Sequence, residues 1–382
     1  MKTNFKKLLY SGVTLMSIGV LAACSSTSSS TTTSSSTATS QSSAATTSSN
    51  STSSDSSSSS SSIDWSALPT TEVTLSNDGL KITEGGTYIL TGSTTAGITV
   101  ETDANVRIIL AGAEISSSDT AAINVISADN VELELQDGTT NTVKDTSNHT
   151  DTNIEGAIHV EADLTITGNG SLTVEGNFQD GIVSTDDLVI DAGNITVTAV
   201  DDKDSLTING GTINVTAGGD GIKSTNDTDT TKGYTTITGG EITVKAGDDG
   251  IKAETALTIN GGTISVPESV EALEGTNITI NGGTIDVYGS DDAINAASTM
   301  SSDIFIKVTG SDLTVAVGSG DTDAFDANGD IYISGGTIDV TAQSAFDFDG
   351  TAELTGGTVT VNGEQITQIT ATGPGAGGHG GW

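Results

Sequence analysis

Between residues 179 and 348 one short pattern returns with the same internal order: an acidic residue, then Gly or Ala, then one large apolar side chain. Its copies are Gln179–Ser184, Gly219–Ser224, Gly247–Ala253, Val270–Gly275, Asp291–Ala296 and Thr322–Ala327, with a weaker one at Gln343–Phe348. Between them lies a second unit, seen at Leu206–Val215, Leu257–Val266, Ile278–Val287 and Ile331–Val340 and built around a Gly-Gly pair. The pairs at Gly210, Gly239, Gly261, Gly282 and Gly335 are 29, 22, 21 and 53 residues apart, and a degenerate copy at Val308–Val315 occupies the last gap. A period in the low twenties with occasional insertions means a solenoid.

The local period says which solenoid. Each repeat holds three short alternating runs separated by Gly- or Asp-rich corners, with no 3.6-residue pattern. Three- and four-residue strands on such corners do not form hairpins at this spacing, but they do coil into a three-sided parallel β-helix. Glycine supplies the positive φ that the corners need. The predicted fold is all-β, a right-handed three-sided parallel β-helix with an N-terminal capping coil.

Stacking the repeats predicts the interior. Ile182, Ile222, Ile251, Leu273, Ile294, Phe325 and Phe346 form one apolar column, and Ile208, Ile237, Ile259, Ile280 and Ile333 another. The same register puts Asp180, Asp220, Asp249, Glu271, Asp292 and Asp323 in one acidic column. Rungs about 4.8 Å apart would make adjacent carboxylates repel by roughly 3 kcal/mol at an effective dielectric near 20. Protonation or a bound cation relieves that repulsion, and hard oxygen-seeking Ca2+ suits carboxylates and loop carbonyls best. The doubled acids Asp248-Asp249, Asp291-Asp292 and Asp321/Asp323 are the leading candidate ligands, against the plainer reading that Asp is a favoured turn residue. Lys223, Lys252 and Asn295 sit in equivalent positions beside these acids and are the candidate substrate contacts.

The rest of the chain frames this region. Residues 1–23 carry Lys2, Lys6 and Lys7 and then an apolar run to Leu21, as a signal peptide does. The sequence Leu21-Ala22-Ala23-Cys24 ends in the only cysteine, the expected lipidation site of a bacterial lipoprotein, so no disulfide is available. Without those three lysines the chain has 50 acidic against nine basic side chains, a net charge of −41. That disfavours nucleic-acid binding and favours a cation-dependent role. Residues 24–62 are almost entirely Ser and Thr, which build no core and predict a disordered tether suited to a Gram-positive surface. Residues 63–150 read as cap and first coils, 151–370 as the main β-helix, and 371–382 as a Gly-rich disordered tail. His149, His159 and His379 share no ligand-like spacing and are read as surface residues. After Asp201-Asp202 the pattern lacks about four residues, which predicts a distorted rung and no secure site there.

Gly85–Gly92, Gly138–Val143, Asp163–Gly168, Asp180-Gly181-Ile182 and the Thr-Ile-Asn-Gly-Gly-Thr-Ile repeats together resemble the secreted bacterial carbohydrate-binding β-helix proteins. These are similar in fold to pectate lyases, and the resemblance covers roughly residues 70–365. It implies a right-handed parallel β-helix that binds Ca2+ and polysaccharide, including cellulose and acidic sugars of the polygalacturonate kind, with no established catalysis; a monomer is expected. The family's repeat acids map onto Asp180, Asp220, Asp248, Asp249, Asp291 and Asp292.

Three functions follow as expectations. The first is a lipid-anchored protein on the extracellular face of the membrane that binds acidic glycan bridged by Ca2+. Neutral glycans call for an aromatic platform, for which Tyr288 and Tyr332 are the candidates, against the plainer reading of core edge or surface decoration. The second is a uronate lyase, which needs a cation and a basic Arg or Lys; Arg107 is the only arginine and lies in the first coils, so the base would be Lys223 or Lys252, against the plainer reading that these are solvated charges offsetting the acids. The third is an adhesin or spacer, to which the threonines Thr207, Thr258 and Thr279 would contribute a ladder.

Overall fold

The computed structural model describes residues 63–372 apart from 227 and 321. The signal segment, Cys24, the Ser/Thr stretch, Asp321 and His379 lie outside the described residues. The fold is a parallel β-helix with three faces. Each coil contributes one strand to the first face, turns at the Gly-Gly corner, crosses the second face, turns at the acidic corner and crosses the third. One coil, for example, runs Ser205–Ile208, Thr212–Thr216 and Ile222–Ser224 before Tyr234–Ile237 starts the next. Successive strands of each face pair in parallel. The parallel crossovers are of the kind whose path is right-handed as a rule.

The columns expected from the repeat are present and longer than expected. On the third face the inward ladder runs from Leu80 through Ile98, Ile123, Ile158, Ile182, Val200, Ile222, Ile251, Leu273, Ile294 and Phe325 to Phe346. On the first, Ile208, Ile237, Ile259 and Ile280 continue through Val308 to Ile333. All but the half-buried Leu80 are buried, and each buried one contributes about 1.5–3 kcal/mol of transfer free energy. The Gly-Gly corner needs both glycines for different reasons. A Cβ on Gly210 would stand 2.6 Å from the Asp191 carbonyl of the coil before, whereas Gly211 has φ +90°, a region closed to most L residues.

The rung after Asp201-Asp202 is not distorted, which corrects the sequence reading. Val200–Asp202 is a strand in regular register with both neighbours: Val200 takes the core position, Asp201 stands opposite Lys223 and Asp202 opposite Ser224. The missing residues come out of the preceding corner instead. Only Thr198 and Ala199 separate strand Asn194–Val197 from strand Val200–Asp202.

The surface reading of the histidines is also corrected. His149 is buried: Nε2 lies 2.9 Å from Asp145 Oδ2, Nδ1 meets the Ile154 carbonyl, and the ring stacks on Phe178 with centroids 4.4 Å apart. His159 is buried on the third face beside Asn124 and Val183, where burial pushes its pKa down. Ligand spacing carries no information about packing, and both rings found neighbours.

The C-terminal end is closed. Strand Glu364–Ile366 turns back antiparallel to Thr358–Val361 through Asn362 (φ 51°) and Gly363 (φ 83°), the pairing of positive angles that a two-residue type I′ hairpin turn requires. The Thr372 hydroxyl then accepts the N–H groups of Ala345 and Phe346, on the last third-face strand.

Candidate acidic site on the third face

The acidic corner delivers its residues in a fixed order. Two positions before the core side chain comes the acid, then a residue that must be small. A Cβ on Gly250, for example, would meet Val266 Cγ1 and the Ala272 carbonyl at 2.6 Å each. Next comes the buried apolar residue, and after it a side chain facing outward. The acid column therefore contains Asp180, Asp220, Asp249, Glu271, Asp292 and Asp323, interrupted by Thr198 between the first two. Asp248 and Asp291, one position earlier, are exposed. Part of the column does backbone work: Asp220 Oδ1 accepts the Asp249 N–H at 3.3 Å and Asp292 Oδ1 accepts that of Asp323 at 2.8 Å.

Beside it runs a second polar track that the sequence reading saw only in part. The register aligns Asp201, Lys223, Lys252, Glu274, Asn295, Asp326 and Asp347. Lys223, Lys252 and Asn295 are expected there from the sequence, Asp201 only on a rung read as insecure; Glu274, Asp326 and Asp347 are additions of the structure. The residue immediately after each core side chain would have found them.

Two groups of carboxylates converge. Asp220, Asp248 and Asp249 can place one oxygen each within 4.8 Å of one another, and so can Asp249, Glu271 and Glu274. The second group already has a cation: the Lys252 ammonium bonds Asp249 Oδ2 at 2.7 Å and also contacts Glu274 Oε2. Burial works against the Lys252 charge, but these two carboxylates outweigh it and raise its pKa. In the first group Asp249 carries the same Lys252 bond, whereas Asp220 has only Lys223 at 4.0 Å, beyond hydrogen-bond reach, and Asp248 has no ion pair among the described residues. Its donors are oxygens only, the set that suits Ca2+.

Burial dominates the electrostatics. It pushes Asp180 up to about 6, with Asp201 adding to the rise. Asp249 is pushed up to about 7 by burial and by Glu274, which Lys252 only partly opposes. Glu271 rises to about 7 for the same first reason, helped by Asp249 and Asp292. Asp326 also reaches about 7 through burial and the nearby Asp292, Asp347 and Asp323. A face that pushes several carboxyl groups toward neutrality favours any cation that relieves it.

The lining of the acidic corner is concave in two places. A recess of about 400 Å3 lies over Thr198 and Ala199, bordered by Asp180, Asp220, Lys223 and Asp248. A more open one of about 700 Å3 carries Tyr288, Gln343 and Asn362. The other expected aromatic, Tyr332, donates its hydroxyl to Asp330 Oδ2 at 2.7 Å. Arg107 lies on the first face in ion pairs with Glu132 and Glu134.

A family model of carbohydrate-binding domain-containing proteins matches residues 76–324. A carbohydrate-binding domain-containing protein of Acetivibrio thermocellus is 34% identical over 135 residues, 33% of this chain. The chain spans 47% of the length of that curated relative. Among solved structures the chain is similar to one described as the polysaccharide lyase-like protein from C. thermocellum, a gadolinium derivative. That match has a TM-score of 0.42 and 24% identity, covering 78% of this chain and 99% of the other.

Proposed function

The chain belongs to the family of carbohydrate-binding domain-containing proteins, and from that premise we propose that it binds uronate-containing polysaccharide through Ca2+ held at the acidic corner. Carbohydrate binding comes with the family; the acidic glycan and the metal are the reading added here. The observation that carries it is the Asp220, Asp248 and Asp249 group, whose oxygens converge beside a recess without a lysine in hydrogen-bond contact with Asp220. A calcium ion takes six to eight oxygen ligands. Three carboxylates leave positions that a uronate carboxylate can fill, which turns repulsion between two polyanions into attraction. The proposal extends to placement: Cys24 anchors the protein by lipid to the extracellular face of the membrane, with residues 24–62 as tether.

Binding without catalysis is the version proposed. Elimination from a uronate requires a base poised near neutral pH. Arg107 is engaged with Glu132 and Glu134 on another face and Lys252 with Asp249 and Glu274, which leaves Lys223, 4.0 Å from Asp220, as the candidate base that the assay for new ends tests.

The test is retention of the full chain on polygalacturonate and on cellulose, in excess Ca2+ and then in EDTA, with the supernatants assayed for unsaturated sugar ends. Retention on polygalacturonate that EDTA abolishes, without new ends, is the expected result. New ends would replace binding by lyase chemistry, and no retention in either buffer would leave a structural rod.

A further inference from the structure

The shortened corner has a geometric consequence. Before it the chain spends four residues, 176–179, between strands Ser171–Glu175 and Asp180–Ser184; after it the chain spends five, 217–221, between Thr212–Thr216 and Ile222–Ser224. The corner between them has two, Thr198 and Ala199. A two-residue corner does not reach out as far as its neighbours, so the surface drops over it and rises on both sides. The recess of about 400 Å3 sits there, with residues of all three corners in its lining. That volume falls in the range of roughly 300–1,000 Å3 typical of small-ligand sites. The floor is fixed: the Thr198 hydroxyl accepts the Gly176 N–H at 2.9 Å, and Ala199 and Val200 continue into regular pairing.

Lys223 marks what the recess takes. Lys203, Lys232 and Lys252 each hydrogen-bond a carboxylate. Lys223 lines the recess and reaches only 3.8 Å from Asp201 Oδ2 and 4.0 Å from Asp220 Oδ2, so its ammonium makes no hydrogen bond among the described residues. Beside it, Asp201 is 1% exposed and bonds Lys203 through Oδ2, while its Oδ1 has no hydrogen-bond partner among the described residues. On the wall, Asp220 and Asp248 belong to the converging group described above. A metal ion there and the Lys223 ammonium would offer two positive centres across one concave surface.

We infer that the recess opened by the Thr198–Ala199 corner is the subsite that seats a single uronate segment, its carboxylate read by Lys223 and its hydroxyls by the acids of the walls. The inference rests on the function proposed above and adds a place and a specificity residue to it. A seat of this size takes a short oligomer in a one-to-one complex; a merely acidic face would hold only long polymer, through many weak contacts.

The test is calorimetric titration of the full chain with trigalacturonate in excess Ca2+, beside Ca2+ titrations of the same samples. Gly219→Trp fills the recess: a Cβ at Gly219 meets nothing within 4 Å. Lys223→Met removes the ammonium and keeps the stem. Each is expected to weaken trigalacturonate binding at least tenfold while Ca2+ affinity and the unfolding temperature hold, whereas Lys245→Met, on the second face, changes nothing. Polymer retention by the wild type with trigalacturonate binding unaffected in both variants overturns the subsite and leaves the function standing. Polymer retention without any trigalacturonate complex does the same. Failure of the wild type to retain polymer in Ca2+ removes the function and the subsite together.

Discussion

Asp248 and Asp249 are neighbours in the chain with opposite surroundings. Asp248 is exposed, whereas Asp249 is 5% exposed and bonded to Lys252. With Asp249 pushed up to about 7 mainly by burial, its ionised form at pH 8 is carried against a desolvation penalty. Neutral isosteres at both positions therefore separate the metal's contribution from the fold's. Wild-type protein with free Ca2+ at 100 times its Kd should gain about 2.7 kcal/mol. Asp248→Asn with Asp249→Asn should gain none, and in EDTA at pH 8 it should unfold no earlier than the wild type. Thermal scans with and without the ion check both statements. An equal Ca2+-dependent rise in the double variant would place the metal elsewhere.

At the scale of one strand and its corner, the raised carboxyl groups work together. For a carboxyl whose folded pKa exceeds its unfolded value, the native state binds the proton more tightly, so stability falls as pH rises between the two values. The unfolded values lie near 4; the folded ones are about 6 for Asp180, about 7 for Asp249, Glu271 and Asp326, and about 8 for Asp202, which burial raises most. In EDTA the unfolding temperature should therefore be higher at pH 5 than at pH 8 and decline between them, with Ca2+ restoring part of the loss at the alkaline end. A temperature that climbs from pH 5 to pH 8 in EDTA would contradict the third-face electrostatics. These elements also show what was legible. Periodicity carried the three faces and the core ladders, because a two-residue alternation and a Gly-Gly corner recur in the chain itself. Strand Val200–Asp202 is not legible from its acid pair, because the acids there follow the core position that Val200 fills, where in the other rungs they precede it. Glu274 and Asp326 were lost because acids were sought in front of the core residue and not behind it. The burial of His149 depends on a loop folding back onto Phe178, a contact that no local pattern encodes.

In a solenoid each coil touches only the next, so stability is close to a sum of local terms and uneven charge gives uneven protection. The third face is uneven in that way. Through its middle coils Lys203, Lys223 and Lys252 lie among the acids, and among the described residues its last ion pair is Lys252 with Glu274. Beyond that rung come Asp292, Asp323, Asp326 and Asp347, and the influences that raise Asp326 after burial are all acidic. The core does not thin out to match: Phe325 and Phe346 stack with centroids 5.2 Å apart, and Thr372 ties the last strand. Protection at this end should therefore depend on screening more than protection at the other. In EDTA at pH 8 and low ionic strength, hydrogen exchange should be faster for strands Asp323–Ala327 and Ser344–Phe348 than for Ile123–Ser127 and Gly156–Val160. Raising salt to 0.15 M shortens the screening length to about 8 Å, and acidification to pH 5 neutralises the raised carboxyl groups. Either change should narrow the difference, salt by weakening each repulsion and acid by removing it. A difference that survives both would mean that the C-terminal coils are loose for reasons of packing. Equal exchange at both ends under all conditions would mean that carboxylate repulsion is already relieved within the protein, and the case for a bound cation would lose its driving force.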